Sequence, residues 1–204
     1  YGRCCKRLAR LGVDLEVNML SSWGSEIIPA LLIVTNLLML GSSRIRTCIR
    51  LVAIQGIVIG LIPVLFEGEE FTLRAWSLAL ASIALKGYVF PKLLIRTLRE
   101  TGTKREVEPF VGFTLSIIIG IGFVAFSMWV TARLALPELA PIAAIMARAG
   151  LATILIGLFI IVSRRQALNQ VLGYIVMENG IFAFGAARTE EHTSELQSRQ
   201  SLSY

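Results

Sequence analysis

Long, continuous apolar runs fill most of the sequence and restrict the folds that it can adopt. They follow one another from about residue 23 to residue 187, without the period-two alternation of apolar and polar residues that a transmembrane barrel requires. In lipid, the α-helix is the other backbone that satisfies its own hydrogen bonds. With 55% hydrophobic residues and a mean hydropathy of +0.70, the pattern predicts an all-α, polytopic transmembrane helix bundle.

Six of these runs are candidate membrane spans. The second is the shortest and contains Pro63, which is expected to kink or end it. Gly56 and Gly60 in the same run form a face of small residues against which a neighbouring helix can pack closely. The six predicted spans are Trp23–Gly41, Leu51–Phe66, Trp76–Ile95, Phe110–Ala132, Ile142–Val162 and Ala167–Ala187.

Basic residues are distributed unequally between the two ends of these spans. The turns after the second and fourth spans hold only Arg74 and Arg133, whereas ten basic residues lie in and beside the other turns. Cytoplasmic loops are enriched in Lys and Arg, so the N-terminus is predicted outside, and the net charge of +6 requires no nucleic-acid partner. The ten basic residues are Arg44, Arg46, Arg50, Lys92, Arg96, Arg99, Lys104, Arg105, Arg164 and Arg165.

The two ends of the chain differ from its apolar middle. Residues 1–18 would place four positive charges on the outer face, so we expect a non-native leader before Met19, with a cytoplasmic or flexible leader as the alternative. The string Glu190–Ser198 resembles the translation of a sequencing adapter, so residues 188–204 are expected to be an artefactual tail; an ordinary solvated tail is the alternative. The bundle is therefore predicted over residues 19–187, in a chain truncated at its C-terminus.

The sequence contains no residue set with the spacing of a metal or cofactor site. Cys4 and Cys5 belong to the expected leader, and Cys48 is alone in a predicted turn. There is no glycine-rich phosphate loop, and no set of serine, histidine and acid can be assembled from the spans. We therefore predict no catalytic residue, no metal and no cofactor in this chain.

Two ionisable residues lie inside the predicted spans. Glu178 is near the centre of the sixth span, and Lys86 lies at a similar depth in the third. A charge at the bilayer midplane costs about 2.5–3.5 kcal/mol on insertion scales, so it is rarely kept without a partner, a pathway or a proton. We predict that both residues belong to a proton relay; a buried salt bridge that only fixes helix contacts is the alternative.

Three amides in the spans could extend this polar line through the bundle. They are Asn36, Gln55 and Asn179, and the hydroxyl of Thr35 could do the same. Each could instead make an ordinary hydrogen bond between helices, which is the commoner use of such residues.

The last two spans carry a specific family resemblance. The stretch Ile160–Gly180 consists of a helix, an Arg-Arg turn and a second helix with the run Met177–Gly180. It resembles the E component of hydrogenase-4, a membrane subunit of group 4 nickel–iron hydrogenase complexes, and is similar to the K subunit of complex I and the C subunit of multisubunit cation/proton antiporters. Lys86 before Pro91 likewise resembles the lysine-containing third helix of the hydrogenase component.

The resemblance covers approximately Met19 to Gly185 and implies a multi-pass subunit of a proton-translocating complex in a prokaryotic cytoplasmic (inner) membrane. Glu178 would occupy the position of the K-like carboxylate, with Lys86 as a second polar station. Partners would be antiporter-like and other membrane subunits and the lipid bilayer, with nickel–iron and iron–sulfur centres only in partner subunits. Family members continue into at least one further helix, which we expect to be missing from this chain.

Three other functions are compatible with the same residues. The chain could be a subunit of a cation/proton antiporter, a stand-alone secondary transporter, or a scaffold subunit without a relay role. The sequence does not decide between them, nor between proton and sodium as the transported ion.

Overall fold

The structure, a computed structural model, describes residues 26–62, 73–100, 112–133 and 141–201. These ranges are almost entirely helical and contain no β-strand, so the all-α prediction is confirmed for them. The expected leader of residues 1–18, Met19, Trp23 and Pro63 lie outside the described residues.

Each predicted span falls on a helix in the described part of the chain. A π-helical segment, Ala84–Val89, joins the helices Leu73–Ile83 and Phe90–Glu100 without a break, so the described residues form six continuous helices. The helices are α1 (Glu26–Gly41), α2 (Ile45–Gly60), α3 (Leu73–Ile83), α4 (Phe90–Glu100), α5 (Phe113–Arg133), α6 (Pro141–Ser163) and α7 (Ala167–Ser201).

Two helices in the described ranges are long and apolar enough to cross a membrane. They comprise Phe113–Arg133 in α5 and Ala143–Ser163 in α6, whereas α1 is an apolar helix of shorter length. Helix length and composition therefore show two candidate spans, and the six-span topology stays a prediction.

Helix α2 begins earlier than the second predicted span. The sequence placed Arg46 and Arg50 in a turn, but the structure places both on the exposed side of α2, which begins at Ile45. The reason is amphipathic spacing, because buried side chains recur at helical intervals from the first residue of α2. These residues are Ile45, Cys48, Ile49 and Val52.

Two apolar clusters form the core of the bundle. One joins the end of α1, the start of α2, α4, α6 and α7 around Leu40, Ile49 and Ile156; the other joins α1, α2, α6 and α7 around Leu32 and Met146. Since α1, α2, α6 and α7 contribute to both clusters, these four helices form the centre of the described structure.

Helices α6 and α7 form an antiparallel hairpin whose backbones nearly touch. A Cβ atom added at Gly157 would lie 2.6 Å from the backbone nitrogen of Met177, and one at Gly150 would lie 2.7 Å from that of Phe184. On α7, Gly173 and Gly180 face α6 in the same way. Two glycines seven residues apart on each helix therefore form a glycine seam, here defined as Gly150, Gly157, Gly173 and Gly180, that sets the distance between the helices.

The glycine seam predicts a sharp difference between two Gly→Ala variants. Gly157→Ala should lower the free energy of unfolding by about 1–3 kcal/mol, because the new methyl group would overlap backbone atoms that cannot move aside. Thermal unfolding in detergent, followed by circular dichroism, measures this change.

Gly122→Ala on α5 is the matched control, since nothing lies within 4 Å of a Cβ at Gly122. Because alanine favours helix more than glycine by about 1 kcal/mol, this control should be neutral or stabilising. Equal stability of the two variants would show that α6 and α7 are not held at the described distance.

Candidate functional site

The two predicted relay residues form an ion pair between helices. Lys86 Nζ lies 3.0 Å from Glu178 Oε1, and it donates a hydrogen bond of 3.1 Å to Asn179 Oδ1. The ammonium also lies 5.8 Å from the centroid of the Phe182 ring. The structure therefore brings Lys86, Glu178 and Asn179 together, and it joins the π-helical segment to α7 at this point.

The π-helical segment that carries Lys86 has a local cause in the sequence. Pro91 lacks an N–H, and in an α-helix its ring would clash with the carbonyl of Gly87, four residues earlier. The chain widens before the proline, and Phe90 N–H donates to Leu85 O, five residues back. Such single π turns occur frequently at functional sites, and this one contains Lys86.

A close helix contact fixes the backbone of Lys86 from the other side. A Cβ at Gly56 would lie 2.6 Å from the Cβ of Lys86, and one at Gly60 would lie 2.6 Å from Ile83. The predicted packing face of Gly56 and Gly60 on α2 is thus confirmed, with α3 and the π-helical segment as its partners. The long lysine side chain then extends from this contact toward α7.

The two acceptors for Lys86 differ in exposure, although they are neighbours on α7. The side chain of Glu178 is 43% exposed, whereas Asn179 is fully buried and the lysine side chain is 9% exposed. Consecutive helical residues point about 100° apart, so Asn179 lies in the interior of the bundle and Glu178 faces its surface. The site is buried at its cationic end and open at its anionic end.

The other three predicted polar residues, Thr35, Asn36 and Gln55, belong to a second group on α1, α2 and α6. The Nε2 of Gln55 donates to Thr35 Oγ1 at 2.7 Å and to Asn36 Oδ1 at 2.8 Å. Asn36 Nδ2 in turn donates to Thr153 Oγ1 at 2.9 Å. Among the described residues, no hydrogen bond connects this amide cluster (Thr35, Asn36, Gln55 and Thr153) to Lys86.

Sequence reasoning did not find Thr153. A single hydroxyl residue in an apolar helix usually donates to a carbonyl of its own helix, and Thr153 does so, to Ala149 O at 2.7 Å. Its additional role as the acceptor for Asn36 depends on contacts between helices. The only local signal is its position midway between Gly150 and Gly157 of the glycine seam.

One buried polar atom in each group has no hydrogen-bond partner. They are the acceptor Gln55 Oε1 and the donor Asn179 Nδ2. An unsatisfied buried polar atom costs about 1–3 kcal/mol, so each of the two polar groups carries an energetic cost within the bundle. Gly56, the residue after Gln55, lies against Lys86, and the two polar groups are therefore neighbours in the bundle.

Arg164 has a structural role that the charge count of the turns did not indicate. The residue is 3% exposed; its Nη2 donates to Leu40 O in the last turn of α1 at 3.1 Å, and its guanidinium lies 5.4 Å from the centroid of the Phe113 ring. A cation at a helix C-terminus is stabilised by the helix dipole. Burial lowers the pKa of Arg164 and raises the pKa of the nearby Cys48 thiol.

A small cavity lies among the described residues, and neither Lys86 nor Glu178 lines it. This cavity of about 10 Å³ beside Arg164 and Cys48 holds at most one water molecule. Within the described ranges, no group of three or more His, Cys, Asp or Glu side chains could hold a metal ion. The chemistry available at the site is therefore that of a lysine, a carboxylate and amides.

The fold and the site together define an all-helical protein with an ion pair between its helices and two helices able to cross a membrane. Comparison with known proteins gives a relative. The chain is 30% identical over 154 residues to the uncharacterized protein Rv0085 of Mycobacterium tuberculosis, an alignment that spans 74% of this chain and 69% of the relative. This chain belongs to the family of Rv0085. No family model and no solved structure matches the sequence.

The ion pair predicts a non-additive pair of substitutions. Lys86→Met should lower the free energy of unfolding by about 3 kcal/mol, because Glu178 would then lose its counter-ion in an apolar bundle. The double variant Lys86→Met, Glu178→Met should recover most of that loss. Unfolding of the two single variants and the double variant in detergent gives the coupling free energy.

Lys92→Met serves as the control for removing a positive charge, because Lys92 is exposed on α4. This variant should change the stability by no more than about 0.5 kcal/mol. Additive effects at Lys86 and Glu178 would contradict a direct interaction between them.

Proposed function

We propose that this chain is a membrane subunit of a proton-translocating hydrogenase or complex I-like oxidoreductase complex, in which Lys86 and Glu178 relay protons. The observation that carries the proposal is their 3.0 Å ion pair at a π-helical turn. Ionisable residues inside an apolar helix bundle mark ion pathways and proton relays by default. The resemblance of Ile160–Gly180 to the E component of hydrogenase-4 supports this class of complex.

Proton transfer through the site begins at the open end of the pair. Glu178 Oε1 contacts Lys86, while the second carboxylate oxygen, Oε2, has no hydrogen-bond partner among the described residues. Oε2 is therefore the atom that receives a proton. Protonation neutralises Glu178 and weakens its attraction to Lys86, whose ammonium keeps its hydrogen bond to Asn179 Oδ1.

The proton then leaves when the charge around the pair changes. Glu178 releases the proton once the charge on a neighbouring group again favours the ionised carboxylate. The ion pair with Lys86 then re-forms. Nickel–iron and iron–sulfur centres in partner subunits would supply the electron transfer that drives this change, and antiporter-like membrane subunits would carry the proton onward. This chain contributes no catalytic residue and holds no cofactor in this mechanism.

The proposed setting is a prokaryotic cytoplasmic (inner) membrane, which the chain crosses six times with its N-terminus outside. The match between the six apolar runs and the described helices supports this arrangement. The surface of α5 supports it as well, because large apolar side chains, among them Leu115, Ile118 and Ile121, are more than half exposed there. Such a surface suits contact with lipid and is unusual in a soluble monomer.

A scaffold role is the second candidate, and the ion pair itself favours it. A lysine that is almost fully buried and bonded to both Glu178 and Asn179 could act solely to hold the π-helical segment against α7. Only a variant that keeps assembly and changes transport separates the two roles.

Glu178→Gln in the assembled complex makes that separation. The amide keeps the size and a hydrogen bond to Lys86 but cannot take up and release a proton, so assembly should be retained. Proton pumping should fall by about tenfold, equivalent to about 1.4 kcal/mol, while electron transfer changes less. Membrane vesicles that report pumping and electron transfer together provide the measurement.

Glu100→Gln is the matched control, because Glu100 is an exposed carboxylate paired with Arg96 at 2.7 Å on the surface of α4. Since exposed pairs are worth at most about 1 kcal/mol, pumping should stay unchanged in this variant. Normal pumping in Glu178→Gln would remove Glu178 from the relay, and loss of assembly alone would favour the scaffold.

The proposed topology predicts opposite labelling of two turns. A cysteine introduced at Glu138, between the fourth and fifth predicted spans, should react with a membrane-impermeant maleimide in intact cells. A cysteine at Gly102, between the third and fourth spans, should react only after permeabilisation. Labelling of both positions in intact cells, or of neither, would contradict the six-span arrangement.

A further inference from the structure

One side of α7 is apolar and uncovered, and Glu178 lies in its middle. The residues of this lateral face are Val171, Tyr174, Glu178, Ile181 and Phe182. The side chain of Glu178 is 43% exposed, and the other four residues are between 40% and 57% exposed. Their spacing of three and four residues places them within about 100° of one another around the helix. The opposite side of α7 packs against α6 through Gly173 and Gly180 of the glycine seam.

The chemistry of this lateral face does not suit contact with lipid alone. Tyr174 and Phe182 lie one turn before and one turn after Glu178, so apolar surface borders the carboxylate at both ends. An acyl chain cannot donate a hydrogen bond to the free Oε2 atom of Glu178. An under-solvated ionised group in hydrocarbon is costly, so the face requires a hydrogen-bond donor from outside the described residues.

A second copy of this chain is a poor source of that donor. In a symmetric dimer built on this face, a two-fold axis would bring the two Glu178 side chains close together. Two carboxylates in an apolar interface repel each other strongly, because little water is present to screen them. The complementary surface must instead carry a donor and no acid at this level.

We propose that the lateral face of α7 docks a transmembrane helix of a different subunit, which presents a hydrogen-bond donor and no carboxylate opposite Glu178. Tyr174 and Phe182 are the apolar anchors of this interface, since large aromatic side chains contribute most to such contacts. The donor forms a hydrogen bond to Oε2 of Glu178. Through this hydrogen bond the partner subunit interacts directly with the charge on Glu178. This inference rests on the proposed membrane-complex function and identifies where the partner binds.

Site-specific photo-crosslinking in the native membrane tests this docking. Benzoylphenylalanine replaces Tyr174 or Phe182 in the full chain, and Ile118 on the exposed surface of α5 is the control position. The two α7 positions should capture one polypeptide different from this chain, and peptide mapping should place the adduct on a transmembrane helix with a donor side chain at that level. Position 118 should not capture that helix.

A charge reversal tests the role of Glu178 in the docking. Glu178→Lys should lower the adduct yield from Tyr174 by about tenfold, which corresponds to about 1.4 kcal/mol of binding free energy. Glu100→Lys reverses an exposed charge on α4, outside the lateral face, and should leave the yield unchanged. Adducts with lipid or with a second copy of this chain, or with a helix that is apolar or acidic at that level, would overturn the proposal.

The outcomes distinguish this docking from the relay. If the donor-bearing helix is captured but Glu178→Gln pumps normally, the relay fails and the docking face stands. If that variant loses pumping while the Tyr174 position captures only lipid, the relay stands and the docking face is refuted.

Discussion

The ion pair between Lys86 and Glu178 is the constraint on which the rest of the site depends. Two opposite charges in an apolar bundle are tolerated only when they are close and well hydrogen-bonded, and the 3.0 Å separation meets that requirement. Several local features serve the contact: the π-helical segment places the lysine, Gly56 allows its backbone to approach α2, and Asn179 supplies a second acceptor. All three features position Lys86 or bind its ammonium group.

The hairpin of α6 and α7 provides the rigid side of this arrangement. Its glycine seam lets the backbones approach closely, which holds Asn179 in the interior and leaves Glu178 at the surface of the bundle. Glu178 lies on this rigid helix, and one of its carboxylate oxygens is bonded while the other is free. Such a carboxylate can change its protonation state without a large movement of the side chain. The amide cluster on α1, α2 and α6 lies beside this site, with an unpaired acceptor at Gln55, but among the described residues no hydrogen bond joins it to Lys86.

The sequence predicts those features that one helix displays by itself. Glu178 and Lys86 were found because a charge interrupts an apolar run, and the close packing of Gly56 and Gly60 followed from their spacing. The pairing of Lys86 with Glu178 was left open, because it depends on the register of helices far apart in sequence. The same limit explains why Thr153 was missed.

Turn charges show a second limit of sequence reasoning. Counted together, Arg164 and Arg165 indicate only topology, but Arg164 is buried against the last turn of α1 while Arg165 is exposed. Likewise, Arg46 and Arg50 read as turn residues until the burial of the opposite side of α2 is known. In both cases the deciding information is which face of the chain another helix covers.

The proposed relay requires Glu178 to take up and release a proton while the complex works. Infrared difference spectroscopy of the assembled complex during turnover, with Glu178→Gln as the reference, measures this directly. A proton relay through Glu178 predicts a carboxylic-acid band that appears and disappears with turnover and is absent from the variant. A carboxylate signal that stays constant throughout turnover would show a permanent ion pair and contradict the relay.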